Sequence, residues 1–248
     1  MAEEITIVEL VRNGTMSAEM AATLWAAVDE QRSFLTVAIP RFAGKSTLSH
    51  AVLALRPPEV ALHPVDGAPE LMERLRRESA SGGGGYLVVA EFSKAPVPGY
   101  IWGEPVRRVF ETLPAGYSLH AAMHAPSVDE AIRIVTEENG VSDEQASAFD
   151  LALYIERFGD DLDSYWRRLA HVYEIDRVEG GRPVGRTLFR WVAEGDRFEA
   201  VETARGFATD RKDVEARTAL LAELAASGRT SASEVAEAVT AYRKGTRG

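Results

Sequence analysis

The segment from Phe34 to Leu48 constrains the fold more than any other part of the chain. An apolar run, Phe34 to Ile39, predicts a short buried strand, and Gly44-Lys45-Ser46-Thr47 then begins a helical pattern. Strand, loop and helix in this order are the context of a phosphate-binding loop. Such a loop binds an anion because the backbone N–H groups at the helix start point at it and the helix dipole favours its charge. The segment therefore predicts an anion site within an α/β fold.

Five consecutive residues of this loop are the candidates for holding the phosphates of a nucleotide: Ala43, Gly44, Lys45, Ser46 and Thr47. We expect Lys45 to reach the β- and γ-phosphates and the Ser46 hydroxyl to take a position on Mg²⁺.

The loop departs from the full motif at its first position, where Ile39 replaces a glycine. The motif uses glycine there because the loop is expected to need a positive φ and a close approach to the nucleotide. Pro40, Arg41 and Phe42 also make the loop bulkier and stiffer than usual. The motif by itself leaves two interpretations open: a phosphate cradle, and a helix start that binds no ligand.

The composition limits the class of partner. With 46% hydrophobic and 27% charged residues among 248, the chain has the balance of a soluble globular protein that can bury an α/β core. A net charge of −10 argues against nucleic acid or an anionic membrane surface as the main partner. The absence of cysteine excludes disulfides and thiolate metal sites and fits a cytoplasmic protein. The acidic first residues and the lack of an apolar run of about 18 residues predict neither a signal peptide nor a membrane span.

Strands and helices alternate through the first 140 residues, which predicts a mainly parallel sheet with helices on both faces. The carboxyl ends of parallel strands meet at one edge, so Asp66, Glu91 and His124 are expected to lie beside the phosphate loop. A strand is predicted at 59–65 and a glycine-rich surface loop at 79–85. Ser17 is expected to cap a helix, and Ser142 and Gln145 are expected to form a capping box. Three further strands are predicted at 151–157, 168–178 and 187–192, followed by helices at 213–226 and 231–242.

Five segments, in a fixed order, carry a resemblance to a known family: 10–17, 59–71, 87–93, 115–125 and 169–189. Together they resemble the ATPase domain of the type II/type IV secretion and type IV pilus assembly superfamily, especially its pilus-assembly and archaeal-type branch. The resemblance covers residues 8 to 190 and continues more loosely beyond. It implies a single-core, RecA-like P-loop domain at 1–205, with an antiparallel extension, and a C-terminal helical hairpin at 206–248.

The resemblance also implies roles for three acidic or basic residues. Glu91 stands at the family's Walker B position, where it would polarise the attacking water or hold Mg²⁺ through a water. His124 stands in the histidine box as a sensor of the γ-phosphate, and Asp66 stands in the aspartate box, where it would assist Mg²⁺. The chain departs from the family at Val65, where an acidic residue is expected, and at Ala90, where the Walker B strand has glycine.

Several other residues are competing candidates for functional roles. Glu104, in a Pro-rich bend, competes with Glu91 for the Walker B role. His120 and His124 are candidate ligands of a zinc site. Their place on a predicted strand rather than a helix, and the lack of a glutamate at the helical zincin position, argue against such a site. The basic run at 74–77 is either a solvated helix face or reaches a neighbouring subunit's phosphate. No Gly-x-Ser-x-Gly elbow is present to indicate a serine hydrolase.

By resemblance, then, the chain is expected to be an ATP-binding and ATP-hydrolysing motor domain that uses Mg²⁺. It is expected to work in the cytoplasm at a membrane secretion or pilus machine, beside a membrane platform protein. Family members form hexameric rings with nucleotide between subunits, so a homo-oligomer is expected, or a mixed ring with a fuller paralogue. The family's N-terminal domain, which closes over the nucleotide, is expected to be missing. Two alternatives remain: a non-catalytic assembly or regulatory homologue, and a kinase-like phosphotransferase.

Overall fold

The computed structural model describes residues 5–39, 42–79, 84–159 and 165–246. Its first half contains α1 (Ile7–Arg12), α2 (Ala18–Asp29), β1 (Phe34–Ala38), α3 (Lys45–Leu53), β2 (Leu62–Pro64), α4 (Pro69–Ser79), β3 (Gly85–Phe92), β4 (Tyr100–Ile101), α5 (Glu104–Phe110) and β5 (Tyr117–His124). Its second half contains α6 (Val128–Arg133), α7 (Asp143–Ala146), β6 (Leu151–Phe158), β7 (Trp166–Glu179), β8 (Arg182–Val192), β9 (Arg197–Ala200), α8 (Arg211–Ser227) and α9 (Ala232–Thr246).

One sheet runs through the described residues in the order β2-β3-β5-β1-β6-β7-β8-β9, with β4 paired to β3. The strands from β2 to β6 pair in parallel, and β6 to β9 pair in antiparallel fashion. Strand β5 thus lies between the loop strand β1 and the acidic strand β3. This topology confirms the predicted RecA-like α/β class with a mainly parallel sheet, an antiparallel extension and a helical hairpin.

The core consists of two apolar layers, one on each face of the sheet, as the predicted helices on both faces require. One layer joins α1, α2, α3, α8 and α9 to the sheet, and the other joins it to α4, α5 and α6. All five residues of β1 are buried, because helices cover both faces of a parallel strand. This burial explains why β1 reads as a continuous apolar run in the sequence.

Local signals predicted several helix starts correctly. The Ser17 hydroxyl accepts from the Met20 N–H at the start of α2, and Ser142 and Gln145 form the predicted capping box at α7. The strand predicted at 59–65 is shorter, spanning only Leu62–Pro64, and the antiparallel extension has a fourth strand, β9, that was not predicted. The glycine-rich loop predicted at 79–85 falls mainly outside the described residues.

The C-terminal hairpin packs on α2 through a buried ionic cluster. The guanidinium of Arg217 lies 4.4 Å from the centre of the Trp25 ring and pairs with Asp29 at 2.5 Å. Arg243 of α9 also pairs with Asp29. The hairpin therefore shares a core with α2, while the domain boundary between residues 205 and 206 stays a prediction. In the described part of the chain, every helix is too short or too polar to cross a bilayer.

Candidate functional site

The loop after β1 turns through two residues with positive φ, Phe42 at +62° and Gly44 at +97°. Gly44 is the N-cap of α3 and has no side chain to cap it, so no side chain satisfies the first N–H groups of that helix. These N–H groups, on Lys45, Ser46 and Thr47, have no intrahelical acceptor by geometry and are available to an anion.

Ile39 does not occupy the strained position that the sequence predicted. Its φ is not among the positive values of the described non-glycine residues, and its side chain is 54% exposed. The carbonyl of Ile39 accepts a hydrogen bond from His124 Nδ1 at 3.0 Å. The positive φ expected at this position is therefore absent at Ile39 and is found at Phe42 and Gly44 among the described loop residues, while the expected close approach to a nucleotide stays a prediction.

Three of the predicted site residues meet at the carboxyl edge of the sheet. The ammonium of Lys45 lies 3.3 Å from Glu91 Oε2 and 2.9 Å from His124 Nε2. Glu91 Oε1 lies 3.5 Å from His124 Nε2. Lys45 and Glu91 are both buried, with 7% and 5% of their surface exposed, so the pair is shielded from solvent.

The backbone explains how each of these side chains reaches the edge. His124 ends β5 and pairs in register with Ala38, the last residue of β1. The β3–β5 register is irregular between Val89 and Phe92, so Glu91 turns inward although Ala90 beside it is exposed. Lys45 begins α3, which starts above the same edge.

Hydrogen-bond partners assign the tautomer of His124. Its Nδ1 faces the carbonyls of Ala38 and Ile39 and must carry the proton to donate to them. Its Nε2 is then the acceptor for the ammonium of Lys45. Desolvation lowers the pKa of Lys45, and the carboxylate of Glu91 opposes this only in part.

These residues border a cleft of about 720 Å³. Its lining includes all five predicted loop residues together with Phe42, Glu91, Ser93, Ala95, Val97, Tyr100, His124, Tyr165 and Arg167. Among the described residues, the lining of the cleft carries two cations, Lys45 and Arg167, and one carboxylate, Glu91, on a chain whose net charge is −10.

The described residues fit a magnesium nucleotide. A buried ammonium lies next to an uncapped helix start, which suits a phosphate. The Ser46 side chain is exposed on the cleft, and Glu91 is a carboxylate within the same lining. A hydroxyl and a carboxylate are the oxygen ligands that Mg²⁺ takes beside phosphate oxygens.

The remaining candidates lie away from this cleft. Asp66 accepts from the Ala68 N–H at 3.0 Å in a local turn. Glu104 starts α5 and pairs with Arg108. His120 is buried and bonds through Nε2 to Ser49 at 2.7 Å, on the far side of α3 from solvent. Arg74 and Arg76 pair with glutamates of their own helix, Glu78 and Glu73.

Two residues of the cleft, Tyr165 and Arg167, were missed by the sequence analysis. The second extension strand was predicted to begin at Arg168, which left both in a loop, whereas β7 begins at Trp166. Arg167 donates from Nη2 to the Phe42 carbonyl and to the Tyr165 hydroxyl, each at 3.0 Å. No motif marks these residues, because the β6–β7 register alone brings them over the loop.

No family model matches the chain. An uncharacterised protein of Methanocaldococcus jannaschii is 27% identical over 215 residues, covering 77% of each chain.

Two solved structures have a similar fold. The VirB11 ATPase of the Brucella suis type IV secretion system, in complex with sulphate, matches with a TM-score of 0.45 and 14% identity, over 70% of this chain and 57% of its own. The ATPase DotB of Legionella pneumophila matches with a TM-score of 0.39 and 12% identity, over 57% of this chain and 45% of its own. The alignments thus span about half the length of these two structures.

Proposed function

We propose that this chain is an ATP-binding and ATP-hydrolysing domain of the secretion and type IV pilus assembly ATPase type. One observation carries the proposal: the buried ammonium of Lys45 is held by Glu91 and His124 beside the uncapped start of α3. A buried cation, open backbone donors and a carboxylate at one sheet edge are the groups that phosphoryl transfer to water requires.

Each residue has a role in this proposal. Lys45 and the N–H groups of α3 bind the phosphates, the hydroxyl of Ser46 would hold Mg²⁺, and Glu91 would polarise the attacking water or hold Mg²⁺ through a water. Bound Mg²⁺ supplies charge neutralisation on the β- and γ-oxygens. A phosphate beside Lys45 competes with Glu91 for the same ammonium, so binding frees that carboxylate to orient a water. His124 donates through Nδ1 to the loop carbonyls and thereby couples the γ-phosphate end of the cleft to β1. Asp66 is retained as an accessory to Mg²⁺ by resemblance alone.

The wider assembly follows from the resemblance rather than from the site. We infer a cytoplasmic domain that forms a hexamer, or a mixed ring with a fuller paralogue, at a membrane secretion or pilus machine. A membrane platform protein is the inferred neighbour, and nucleic acid is excluded as the main partner by the net charge of −10.

A non-catalytic homologue is the second candidate, and one observation favours it. The Asp66 carboxylate is turned into its own loop and does not line the cleft. A domain of this kind would bind nucleotide as a structural ligand and leave hydrolysis to a partner.

Calorimetry with ATP, with and without Mg²⁺, tests the proposal. Lys45→Ala should abolish binding, while Lys212→Ala, which removes an exposed lysine of α8, should bind as the wild type does. Glu91→Gln should retain binding and lose phosphate release. Binding without any phosphate release by the wild type would favour the second candidate. Undetectable binding at millimolar ATP would overturn the proposed function and favour the second candidate, in a form that keeps the fold as an assembly or regulatory module and has lost nucleotide binding as well.

A further inference from the structure

The antiparallel extension carries an arginine pair beside the phosphate loop. Arg157 of β6 and Arg167 of β7 are direct partners in the ladder. Both guanidinium groups stack on the ring of Tyr165, each 4.6 Å from its centre. Stacking on one ring holds both guanidinium planes at the end of the ladder beside the loop.

Within the described residues, Arg167 has few hydrogen-bond acceptors and no carboxylate partner. No carboxylate lies within 4.0 Å of it in the described ranges, whereas Arg168 beside it pairs with Asp196 at 2.6 Å. The acceptors that the described residues offer Arg167 are two neutral oxygens, both bonded to Nη2. Its Nε is buried and has no hydrogen-bond partner. A guanidinium has five N–H donors, so most of those on Arg167 have no acceptor in the described part of the chain.

The position of Arg167 relates these spare donors to the loop. A Cβ built on Gly44 would lie 2.8 Å from Cδ and Nε of Arg167. The side chain therefore lies directly against the N-cap residue of α3 and lines the same cleft as Lys45. Glycine at this position also leaves room for the arginine to approach the helix start.

We propose that Arg167 is a phosphate-binding arginine supplied by the chain's own β6–β7 ladder, and that it contacts the terminal phosphate of the bound nucleotide. The assignment rests on the proposed function of the cleft. A guanidinium binds a phosphate through two parallel hydrogen bonds, and stacking on Tyr165 holds its plane in advance. The cleft would then provide both cations, Lys45 and Arg167, from a single chain.

A competing role for Arg167 predicts the opposite outcome. If Arg167 instead blocked the loop, its removal would open the site and raise the affinity for nucleotide. The proposed role predicts a loss of affinity, and a loss that depends on the terminal phosphate.

Calorimetry with Mg²⁺ and two ligands, a non-hydrolysable ATP analogue and ADP, tests this. Arg167→Ala should weaken binding of the analogue about tenfold or more, the scale of a lost hydrogen-bonded charge, and change ADP binding far less. Arg167→Lys should recover part of the loss because it keeps the charge and loses the fork. Arg190→Ala, at an exposed arginine of β8 that pairs with Glu199, should bind both ligands as the wild type does.

The outcomes separate the two proposals. Wild-type binding with an unchanged or improved affinity in Arg167→Ala would overturn the assignment of Arg167 alone. Equal losses for the analogue and ADP, with no recovery in Arg167→Lys, would show a structural role and overturn it as well. A wild-type protein that binds neither ligand would overturn the proposed function and this inference together. Thermal unfolding of each variant checks that it is folded.

Discussion

Phe42 and Ile39 show at the scale of single residues where the loop stores backbone strain. Phe42 has a φ of +62° and a side chain that is 73% exposed, so it holds a left-handed conformation with little packing in return. Ile39 has an ordinary φ and a carbonyl bonded to His124. The residue that departs from the motif is therefore not the residue under strain.

Replacing Phe42 by glycine should stabilise the fold. The left-handed conformation destabilises the fold by about 1–3 kcal/mol at a non-glycine residue. Glycine removes this strain but offsets roughly 0.5–1 kcal/mol of the gain, because it increases the entropy of the unfolded chain. We expect Phe42→Gly to raise the free energy of unfolding by up to about 1 kcal/mol, measured by urea denaturation. Ile39→Gly is the matched control and should only destabilise. If Ile39→Gly raised the free energy of unfolding more than Phe42→Gly, the backbone strain would lie at Ile39, the position where the motif has glycine.

His120 makes stability depend on pH. Burial lowers the pKa of His120 to about 3, with His50 adding to the effect. At pH values below the ordinary histidine pKa of about 6.5, His120 binds a proton in the unfolded chain but stays neutral in the folded chain. The free energy of unfolding should therefore fall as pH drops from about 6.5 towards 3, by at most about 1.4 kcal/mol per pH unit.

Urea denaturation between pH 7 and pH 5 measures this contribution as a difference between proteins. His120→Gln should flatten the decline relative to the wild type, because its side chain does not titrate. His50→Gln, at an exposed histidine of α3, should keep most of the slope. If the free energies of unfolding of the wild type and of His120→Gln fell in parallel with pH, His120 would bind a proton in the folded chain as readily as in the unfolded chain.

At the scale of elements, the hairpin of α8 and α9 depends on α2 through Asp29. Arg217 covers the Trp25 ring, pairs with Asp29 and with Asp213, and leaves only 11% of its side chain exposed. Removing one arginine of such a cluster leaves the nearly buried carboxylate of Asp29 with less positive charge to compensate it, which destabilises the fold. The hairpin is therefore held by specific contacts as well as by apolar burial.

Arg217→Ala should lower the free energy of unfolding by on the order of 2 kcal/mol, because Asp29 keeps only Arg243 as a partner. Chemical denaturation measures the loss. Arg211→Ala, at an exposed arginine of the same helix, should change it by less than about 0.5 kcal/mol. Equal effects of the two substitutions would show that the ion pair contributes nothing to holding the hairpin.

At the scale of the whole molecule, the cleft joins the parallel sheet to its antiparallel extension. Its lining comes from the loop after β1, from β3, from β5 and from the start of β7. These two parts of the sheet meet only in the folded chain, so a ligand that contacts both of them binds the folded chain and not the unfolded one. Binding is thus linked to global stability.

Mg²⁺ with ATP should raise the unfolding midpoint of the wild type. At a concentration of about 100 times Kd the expected gain is roughly 3 kcal/mol of unfolding free energy. Differential scanning fluorimetry measures it, with Lys45→Ala expected to show no shift and Lys212→Ala a full one. A shift retained in Lys45→Ala would place the nucleotide elsewhere.

The sequence determined those features that depend on neighbours along the chain. The loop-to-helix start at Lys45, the cap at Ser17 and the apolar strands follow from local chemistry. The meeting of Glu91 and His124 also followed, because parallel strands put their carboxyl ends at one edge. The three-dimensional contacts of Lys45 thus agree with its place in the motif.

Only the tertiary structure decided the features that depend on residues distant in sequence. The place of Arg167 depends on the β6–β7 register, in which a shift of one residue would turn its side chain to the other face. The hydrogen bond from His124 to the Ile39 carbonyl at the end of β1 likewise joins residues that lie 85 positions apart. Asp66 follows a predicted strand end yet stays in its own turn, because strand order alone does not aim a side chain. Hydrogen bonds and registers between distant segments have no periodicity in the sequence, so no local pattern encodes them.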